Sequence, residues 1–442
     1  MPTILATVLC ISFIGYLFWM DREEDRRASK ELWIPLIWMF LAGSRYISFW
    51  LDPGIAYKSV ETYLDGSPLD AAFFVLLIVA GITIIVRRRV DWTALLTENS
   101  LIWLYFAFGL LSILWSDYPF VSFKRWIKAT GNVVMVLVIL TDESPYQAIG
   151  YILRRLTILF LPLSILFIKY YPEFGRGYTW SGKVMFSGVA SQKNGLGQIC
   201  LISSIYFCWM LLIERWKVER ERGTLFWIVT GTCIAMIAWL LYLSESATSL
   251  TCIVVSIGLF ILSRMPGFDE KPERFMLTIL FVVIVLGVLE ATLDLSEMII
   301  ALLGRNPTLT TRVPMWDGLL KMAENSLIGV GYESFWLGGR LQLVWSKYGQ
   351  LHQAHNGYLE IYLNLGLIGL AIVMLSMMSG LLKIRRYFHV DYAAATLRLC
   401  FIVIVALYNW TEATFYGINN LWILFLLGYM DPPAIRPDAE DD

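Results

Sequence analysis

The sequence predicts an all-α polytopic membrane protein with about 12–13 transmembrane helices. Of the 442 residues, 57% are hydrophobic and only 16% are charged, which lies outside the usual composition of soluble domains. Apolar stretches also recur along the chain at roughly the 20 residues that cross about 30 Å of hydrocarbon. Residues 1–442 are therefore predicted to form a single integral membrane domain.

The predicted spans account for most of the chain. They run, in order, over residues 3–20, 32–50, 69–86, 100–115, 122–140, 152–169, 196–213, 224–243, 247–263, 276–293, 357–382, 397–411 and 415–430. The pair on either side of the segment from Trp115 to Pro119 and the last two are short or weak, so about twelve spans is the alternative count. The first stretch lacks a preceding basic segment and a small-residue cleavage site, and we interpret it as a span rather than a signal peptide.

Basic residues predict the orientation, because Lys and Arg near short loops favour the cytoplasm. Of the 35 basic residues, about 21 lie on one predicted side of the membrane and about 14 on the other, although the second side carries the longest loop. The amino terminus is therefore expected outside. Residues 431–442, which end in a run of acidic side chains, are expected to form a short cytoplasmic tail.

Several function classes lack their motifs here. The predicted inner loops contain no Walker-type phosphate loop, no glycine-rich dinucleotide turn and no Asp-x-Asp pair, so neither ATP nor a nucleotide sugar is expected as a substrate, and no cofactor is expected. A net charge of −1 with scattered basic residues disfavours nucleic acid as a partner. All six cysteines fall within predicted spans, and we interpret them as buried apolar residues.

The chemistry is predicted in an outward loop over residues 294–356, which is long for a connector and too polar to lie in lipid. The loop holds two of the three histidines, His352 and His355, together with Arg305 and Arg312. An imidazole accepts a proton near neutral pH. Clustered cations and histidines on one side of a membrane favour an active site over a purely structural role.

The residues that follow this loop resemble a known family. The segment QAHNGYLEIYLNLGLIG looks like the hallmark of the O-antigen ligase and Wzy-type polysaccharide polymerase superfamily, in which a His-Asn pair precedes Gly-x-x-Gly. His355, Asn356, Gly366 and Gly369 match this pattern. Other segments resemble the exopolysaccharide polymerase branch in the expected order, namely SGVASQKNGLG, GRNPTLTTRVPMWDGLLKMAENSLIGVGYESFW and NWTEATFYGINNLW.

The resemblance implies a fold similar to the C-type glycosyltransferases, with a mostly helical periplasmic loop, in a bacterial inner membrane. The implied donor is an oligosaccharide on undecaprenyl diphosphate, and the implied acceptor is a saccharide or lipid A-core. A flippase and a chain-length regulator would act alongside such an enzyme. A polymerase is favoured over a ligase because the outer loop is more similar to the exopolysaccharide branch. A flippase or transporter is the alternative of another class, but no inverted repeat is found.

The resemblance also assigns roles to basic residues. Arg312 and Lys193 match positions at which relatives place cations on the diphosphate, and Arg305 is a weaker candidate for the same role. The planar fork of arginine suits bidentate phosphate contact, whereas lysine acts as a point charge. Pairing with lipid headgroups is the alternative for these side chains. Arg176, Lys183 and the cluster of Lys124, Arg125 and Lys128 are weaker candidates still.

His355 is the candidate base, and four residues are expected to support it: Asn194, His352, Asn356 and Glu360. Glu360 is placed on the His355 helix, one or two turns deeper, where an ionisable side chain is expensive and functional by default. His352 is placed so that it could share a helical face with His355. A zinc site there lacks a third ligand of suitable type, so no metal is expected. Glu290 and Glu412 are explained equally well by pairing within the bundle.

Overall fold

The computed structural model describes residues 2–24, 29–52, 66–88, 90–178, 182–213, 223–268, 271, 273–278 and 309–432. Within these ranges the chain is almost entirely α-helical, with one two-stranded antiparallel sheet that pairs Arg176 with Phe186. The predicted all-α polytopic fold is therefore confirmed. Arg305, Glu290 and most of the predicted span 276–293 lie outside the described residues, as does the tail from residue 433 onward.

The helices follow one another along the chain with short connections. They are α1 (Thr3–Glu24), α2 (Trp33–Gly43), α3 (Ile47–Leu51), α4 (Pro68–Arg87), α5 (Trp92–Glu98), α6 (Ser100–Leu111), α7 (Pro119–Leu140), α8 (Pro145–Tyr170), α9 (Pro172–Gly175), α10 (Lys193–Leu212), α11 (Thr224–Ser244), α12 (Ala247–Ser263), α13 (Leu309–Leu320), α14 (Gly338–Tyr348), α15 (Gly357–Tyr387), α16 (Tyr392–Thr411) and α17 (Asn420–Tyr429). The strands β1 (Arg176–Tyr178) and β2 (Val184–Phe186) lie between α9 and α10.

Seven described helices are long and apolar enough to cross a membrane, namely α1, α4, α8, α10, α11, α15 and α16. They coincide with seven of the predicted spans. The helices α5 and α6 form a further span only if the 83° bend between them lies within it. The shorter α12 and α17 fill two other predicted spans, and α7 fills the predicted span 122–140 with a helix that carries three basic residues.

Two predicted spans are not continuous helices. The span 32–50 ends its first helix at Gly43, and the chain starts a second at Ile47. An added Cβ on Gly43 would lie 2.6 Å from side-chain atoms of both Phe160 and Asn420, so this turn packs closely against α8 and α17. In the span 415–430 only residues Asn420–Tyr429 are helical. The non-helical residues before Asn420 face the functional site described below.

The helix α15 is broken at Gly366, which has φ 64° and ψ −164°. A segment of the outer loop passes across the break, where the N–H groups of Leu367 and Ile368 donate to the carbonyls of Ser326 and Leu327 at 2.8 and 3.1 Å. These bonds replace the helical ones that the break removes. An added Cβ on Gly366 would lie 2.3 Å from the carbonyl carbon of Leu327, so the family glycine permits both the backbone conformation and the close contact.

Contacts between distant segments define two ends of the helical bundle. At the end that we call the site end, Arg45 after α2 donates to the carbonyl of Ala190 before α10 at 3.0 Å. At the opposite end, the hydroxyl of Tyr392 at the start of α16 donates to the carbonyl of Ser263 at the end of α12, at 2.6 Å. The helices α10 and α16 run between these ends and are mostly buried, whereas α1 and α11 expose most of their apolar residues, as expected of helices that face lipid.

Candidate functional site

The His-Asn pair lies at the start of α15, and its two members have different tasks. Asn356 is the N-cap of the helix, and its Oδ1 accepts hydrogen bonds from the backbone N–H groups of Tyr358 and Leu359, both at 3.0 Å. This cap satisfies donors that the first turn of a helix leaves unpaired. His355 precedes the cap in the left-handed backbone region, with φ 50°, so the helix does not continue back through it.

Two sequence-based expectations are therefore wrong. Residues 349–356 are not helical, so His352 and His355 do not share a helical face. Glu360 lies in the first turn of α15, whereas His355 lies outside that helix. The physical reason is the Asn356 cap, which starts the helix one residue after the His-Asn pair.

The carboxylate of Glu412 is the centre of the site. Glu412 directly follows α16, and its Oε2 lies 3.0 Å from Nδ1 of His355. Its Oε1 accepts hydrogen bonds from Nδ2 of Asn194 at 2.8 Å and from Nη2 of Arg312 at 3.2 Å. Only 7% of the Glu412 side chain is exposed. Four segments that are far apart in the sequence thus meet at one carboxylate.

The charge of Glu412 fixes the proton position on His355. Burial alone would raise the pKa of Glu412, but the hydrogen bond and charge of His355, together with Arg312, hold that pKa below its ordinary value. Glu412 is therefore ionised at neutral pH. An ionised carboxylate only accepts hydrogen bonds, so Nδ1 of His355 carries the hydrogen and Nε2 keeps the lone pair of the neutral ring. The same carboxylate stabilises the imidazolium that forms when Nε2 takes up a proton.

Arg312 lies on α13 and joins the site from the outer loop. Besides its contact with Glu412, its Nη1 donates to the backbone carbonyl of Thr411, the last residue of α16. The Arg312 side chain is 20% exposed, so the guanidinium is held on one side and accessible on the other. The structure thus places the predicted cation next to the predicted base through one shared carboxylate, with the remaining N–H groups available to an anion.

The residues Lys193 and Asn194 open the helix α10 and face different surfaces. Asn194 reaches Glu412 and belongs to the His355 site. Lys193 is the first residue of α10 and lines a groove of about 660 Å³ with Lys183 on the β-hairpin. The rest of the groove is lined mainly by apolar residues of β2, α11 and α12, such as Leu241. A helix amino terminus carries partial positive charge that adds to that of the lysine.

Glu360 supports the His355 loop from beneath. Its Oε1 accepts a hydrogen bond from the backbone N–H of Ala354, the residue before His355, and its Oε2 accepts one from Nε1 of Trp336 at 2.8 Å. Glu360 and Trp336 are both buried. The carboxylate therefore ties the loop to the start of α15, and a role in positioning His355 follows more directly from these contacts than a role in contacting substrate.

His352 lies apart from the His355 site. Its ring packs edge-on against Trp345, with centroids 5.2 Å apart. Burial lowers the pKa of His352, and the charge of Arg125 lowers it further, so the ring favours the neutral form. Among the described residues, no three His, Cys, Asp or Glu side chains are grouped so that they could hold a metal ion.

The weaker basic candidates have contacts of their own. Arg176 donates to the carbonyl of Ile168 at 2.8 Å, and Lys183 pairs with Glu245 at 2.7 Å. Arg125 donates to the carbonyl of Glu333 at 2.6 Å. Of this group, only Lys183 lines the groove that Lys193 also lines.

Glu412 is the functional residue that the sequence analysis did not single out. Its signal was present, because a carboxylate at the edge of an apolar span is expensive unless it has a partner or a function. The sequence alone does not show that this residue meets His355, which lies 57 positions earlier. The contact depends on the packing of α15 against α16.

A cavity of about 540 Å³ adjoins the site. Glu412 and Asn194 form part of its wall, together with residues after α2 and before α17. The site end therefore presents two neighbouring spaces. The groove carries lysines and apolar side chains, whereas the cavity is lined largely by amide, hydroxyl and backbone groups.

Fold and site together define a polytopic helical membrane protein with a histidine–carboxylate pair and an arginine at one end of its bundle. Comparison with protein families matches residues 231–374 to the family described as O-Antigen ligase. The chain is also 27% identical over 284 residues to the exopolysaccharide production protein ExoQ of Rhizobium meliloti (strain 1021), an alignment that spans 62% of each chain. The matched region is thus less than two thirds of that protein's length. These matches confirm the resemblance to the O-antigen ligase superfamily, and the family match includes Arg312, His355 and Asn356.

Proposed function

We propose that the protein is a glycosyltransferase that polymerises oligosaccharide repeats carried on undecaprenyl diphosphate. The observation that carries the proposal is the shared carboxylate of Glu412, which holds His355 as a base and Arg312 as a cation within one site. Activation of an acceptor hydroxyl and stabilisation of a departing diphosphate need one base and fixed positive charge. The similarity to a protein named for exopolysaccharide production supports a polymer as the product.

The reaction follows from the geometry of the pair. Nε2 of His355 takes the proton of an acceptor hydroxyl while the oxygen attacks the anomeric carbon of the donor sugar. The bond from that carbon to the diphosphate oxygen breaks, and undecaprenyl diphosphate leaves with the bonding electrons. Arg312 and Lys193 offset the charge that develops on the leaving diphosphate. Glu412 stabilises the imidazolium until its proton is released, so no net charge is left in the site.

The groove lined by Lys183 and Lys193 suits the donor lipid. A diphosphate needs cations at the membrane surface, and a polyprenyl chain needs apolar walls that continue into the bilayer. The groove combines both, since lysines lie beside apolar residues of α11 and α12 such as Leu241 and Leu250. Because the donor already contains the bond energy, the proposed reaction uses neither ATP nor a metal.

The proposed location is a bacterial inner membrane with the site end facing the periplasm. The basis is the distribution of basic residues, which places the site end on the side with fewer of them. The donor, a saccharide acceptor and membrane lipids are the proposed partners, with a flippase to supply the donor and a chain-length regulator to limit the product. A ligase that transfers the polymer to lipid A-core would use the same residues.

The experiment supplies purified protein in lipid nanodiscs with the lipid-linked repeat as its only substrate. A polymerase forms a ladder of longer lipid-linked chains, whereas a ligase forms product only after lipid A-core is added. We expect a ladder that is reduced about 100-fold or more in His355→Ala, as for loss of a positioned base, and reduced much less in His352→Ala. A chelator should have no effect.

Three outcomes would contradict the proposal in different ways. An undiminished ladder in His355→Ala removes the base from the mechanism. Product only with lipid A-core identifies a ligase. No product under either condition, with intact donor recovered, rejects the glycosyltransferase function for these substrates.

A further inference from the structure

The cavity beside Glu412 has an unusual concentration of amide side chains. Its wall includes five of them: Gln192, Asn194, Gln198, Gln353 and Asn419. The hydroxyls of Tyr46 and Tyr416 are also on lining residues. The volume of about 540 Å³ lies within the range of roughly 300–1,000 Å³ that is usual for small-molecule sites.

The amides are arranged in pairs that fix their positions. Nε2 of Gln198 donates to Oδ1 of Asn419 at 3.2 Å, and the hydroxyl of Tyr416 donates to Oε1 of Gln353 at 2.9 Å. An amide offers two N–H donors and an oxygen with two acceptor positions, so each of these side chains keeps hydrogen-bonding capacity beyond its internal contact. Groups that both donate and accept match sugar hydroxyls, which do the same.

The charges around the cavity disfavour an anionic ligand. Glu173 and Glu412 are both lining residues, and a carboxylate repels phosphate and uronate groups. The cationic lining residue is Arg45, whose guanidinium donates to the backbone carbonyls of Phe174 and Ala190 and lies over the Phe174 ring. This arginine therefore serves as a brace between α2 and the chain before α10. The anion-binding character of the site end lies instead on the Lys193 side.

We propose that this cavity is the acceptor subsite and that it takes an uncharged sugar residue. The inference rests on the proposed glycosyltransferase function, because the cavity shares Glu412 with the His355 pair. The acceptor hydroxyl enters from the cavity, and the donor diphosphate lies on the opposite side of Asn194, in the lysine-lined groove. The two substrates thus approach the base from separate spaces, and the amide wall selects the acceptor by its hydroxyl groups.

The test measures binding without turnover, by saturation-transfer NMR on purified protein in nanodiscs. The probes are a neutral β-linked glucose tetrasaccharide and the same tetrasaccharide ending in glucuronic acid. We expect the wild-type protein to bind the neutral probe more tightly than the acidic one. Gln353→Leu and Gln198→Leu should each weaken binding of the neutral probe by about tenfold, the effect of one or two lost hydrogen bonds.

A matched control is available on the outer loop. Gln342 on α14 is exposed and lies outside the cavity, so Gln342→Leu should bind the neutral probe as the wild type does. If the leucine variants fail to fold, as judged by gel filtration and thermal unfolding, Tyr416→Phe removes only the hydroxyl that holds Gln353. That variant should show a smaller loss in the same direction.

The result separates this inference from the proposed function. Equal or tighter binding of the acidic probe, unchanged binding in the folded cavity variants, or no binding of the neutral probe to the wild type would each overturn the acceptor subsite. Polymer formation together with any of these results would leave the glycosyltransferase in place and the subsite rejected. His355→Ala should keep its affinity for the neutral probe, because the base is not needed for binding.

Discussion

Nδ1 of His355 lies 3.0 Å from Oε2 of Glu412, although the two residues are 57 positions apart. The contact forms where the start of α15 meets the end of α16, and the N–H of Gly357 donates to the backbone carbonyl of Glu412 at 3.1 Å. An added Cβ on Gly357 would lie 2.0 Å from Oδ1 of Asn409. The glycine after the His-Asn pair therefore permits the close approach of the two helices that brings the base to its carboxylate.

The first prediction is that Glu412→Gln abolishes most turnover while the protein folds. The carboxamide has nearly the same shape, but its NH₂ group donates to Nδ1 of His355 and stabilises the ring with its proton on Nε2, the wrong position for a base. We expect kcat to fall about 100-fold or more, with little change in the KM for the donor. The measurement is the initial rate of chain extension by the purified enzyme.

A matched control for this change is Glu324→Gln. Glu324 pairs with Arg340 on the exposed outer loop, at 2.6 Å, and its replacement should leave kcat as it is. A Glu412→Gln enzyme that turns over like the control would show that the carboxylate does not orient the base.

The second prediction separates Arg312 from Lys193. Lys193→Ala should raise the KM for the lipid-linked donor and change kcat little, because the ammonium lies in the groove and not on Glu412. Arg312→Ala should change both constants, since the guanidinium also holds Glu412 and the end of α16. Arg312→Lys should recover only part of the activity, because the planar fork is lost.

Steady-state kinetics with varied donor concentration provide the measurement for this pair. Arg340→Ala is the control, since Arg340 binds Asp117 and Glu324 away from the site. A purely structural role of Arg312 would be shown by a lower yield of folded protein whose kcat and KM match those of the wild type.

The third prediction concerns Gly366. Any other residue there would sit in left-handed backbone at a cost of roughly 1–2 kcal/mol, and its Cβ would also collide with the carbonyl of Leu327. Gly366→Ala should therefore lower the temperature of thermal unfolding and the yield of folded protein. Gly231→Ala on α11 is the control, because nothing lies within 4 Å of an added Cβ at that position. Equal stability of the two variants would mean that the break in α15 is not maintained.

The fourth prediction concerns orientation. A periplasmic reporter fused at about residue 340 should be active, and the same reporter fused near residues 218 and 390 should be inactive. A cytoplasmic reporter should give the reverse at each point. If the fusion at residue 340 is active only in the cytoplasm, the site end faces the wrong compartment for a periplasmic donor, and the proposed mechanism is excluded.

Hydropathy predicted the membrane fold and seven of its long helices because the free energy of placing about 20 apolar residues in lipid depends on composition and hardly on tertiary contacts. It failed where backbone geometry decides. The break at Gly366 and the division of the span 32–50 arise from packing against a neighbouring segment. No local apolar pattern records such a neighbour.

The site shows the same division. Motif spacing identified His355, Asn356, Arg312 and Asn194, and the structure places three of them around one carboxylate. It also assigned Lys193 to the diphosphate, and that assignment stays a prediction, since Lys193 faces the groove beside the Glu412 cluster. The sequence suggested that His352 and Glu360 share a helix with His355, because nothing local showed that the Asn356 cap would start the helix at Gly357.

The sequence by itself determined that this chain is a helical membrane protein, which residue types carry its chemistry, and the family that it resembles. Those properties follow from composition and from short spacings along the chain. Only the tertiary structure decided that Glu412 pairs with His355, and that Lys193 and Asn194 face different spaces. Such contacts depend on which helices pack together and at which height, and that is set by the sum of many weak interactions across the whole bundle.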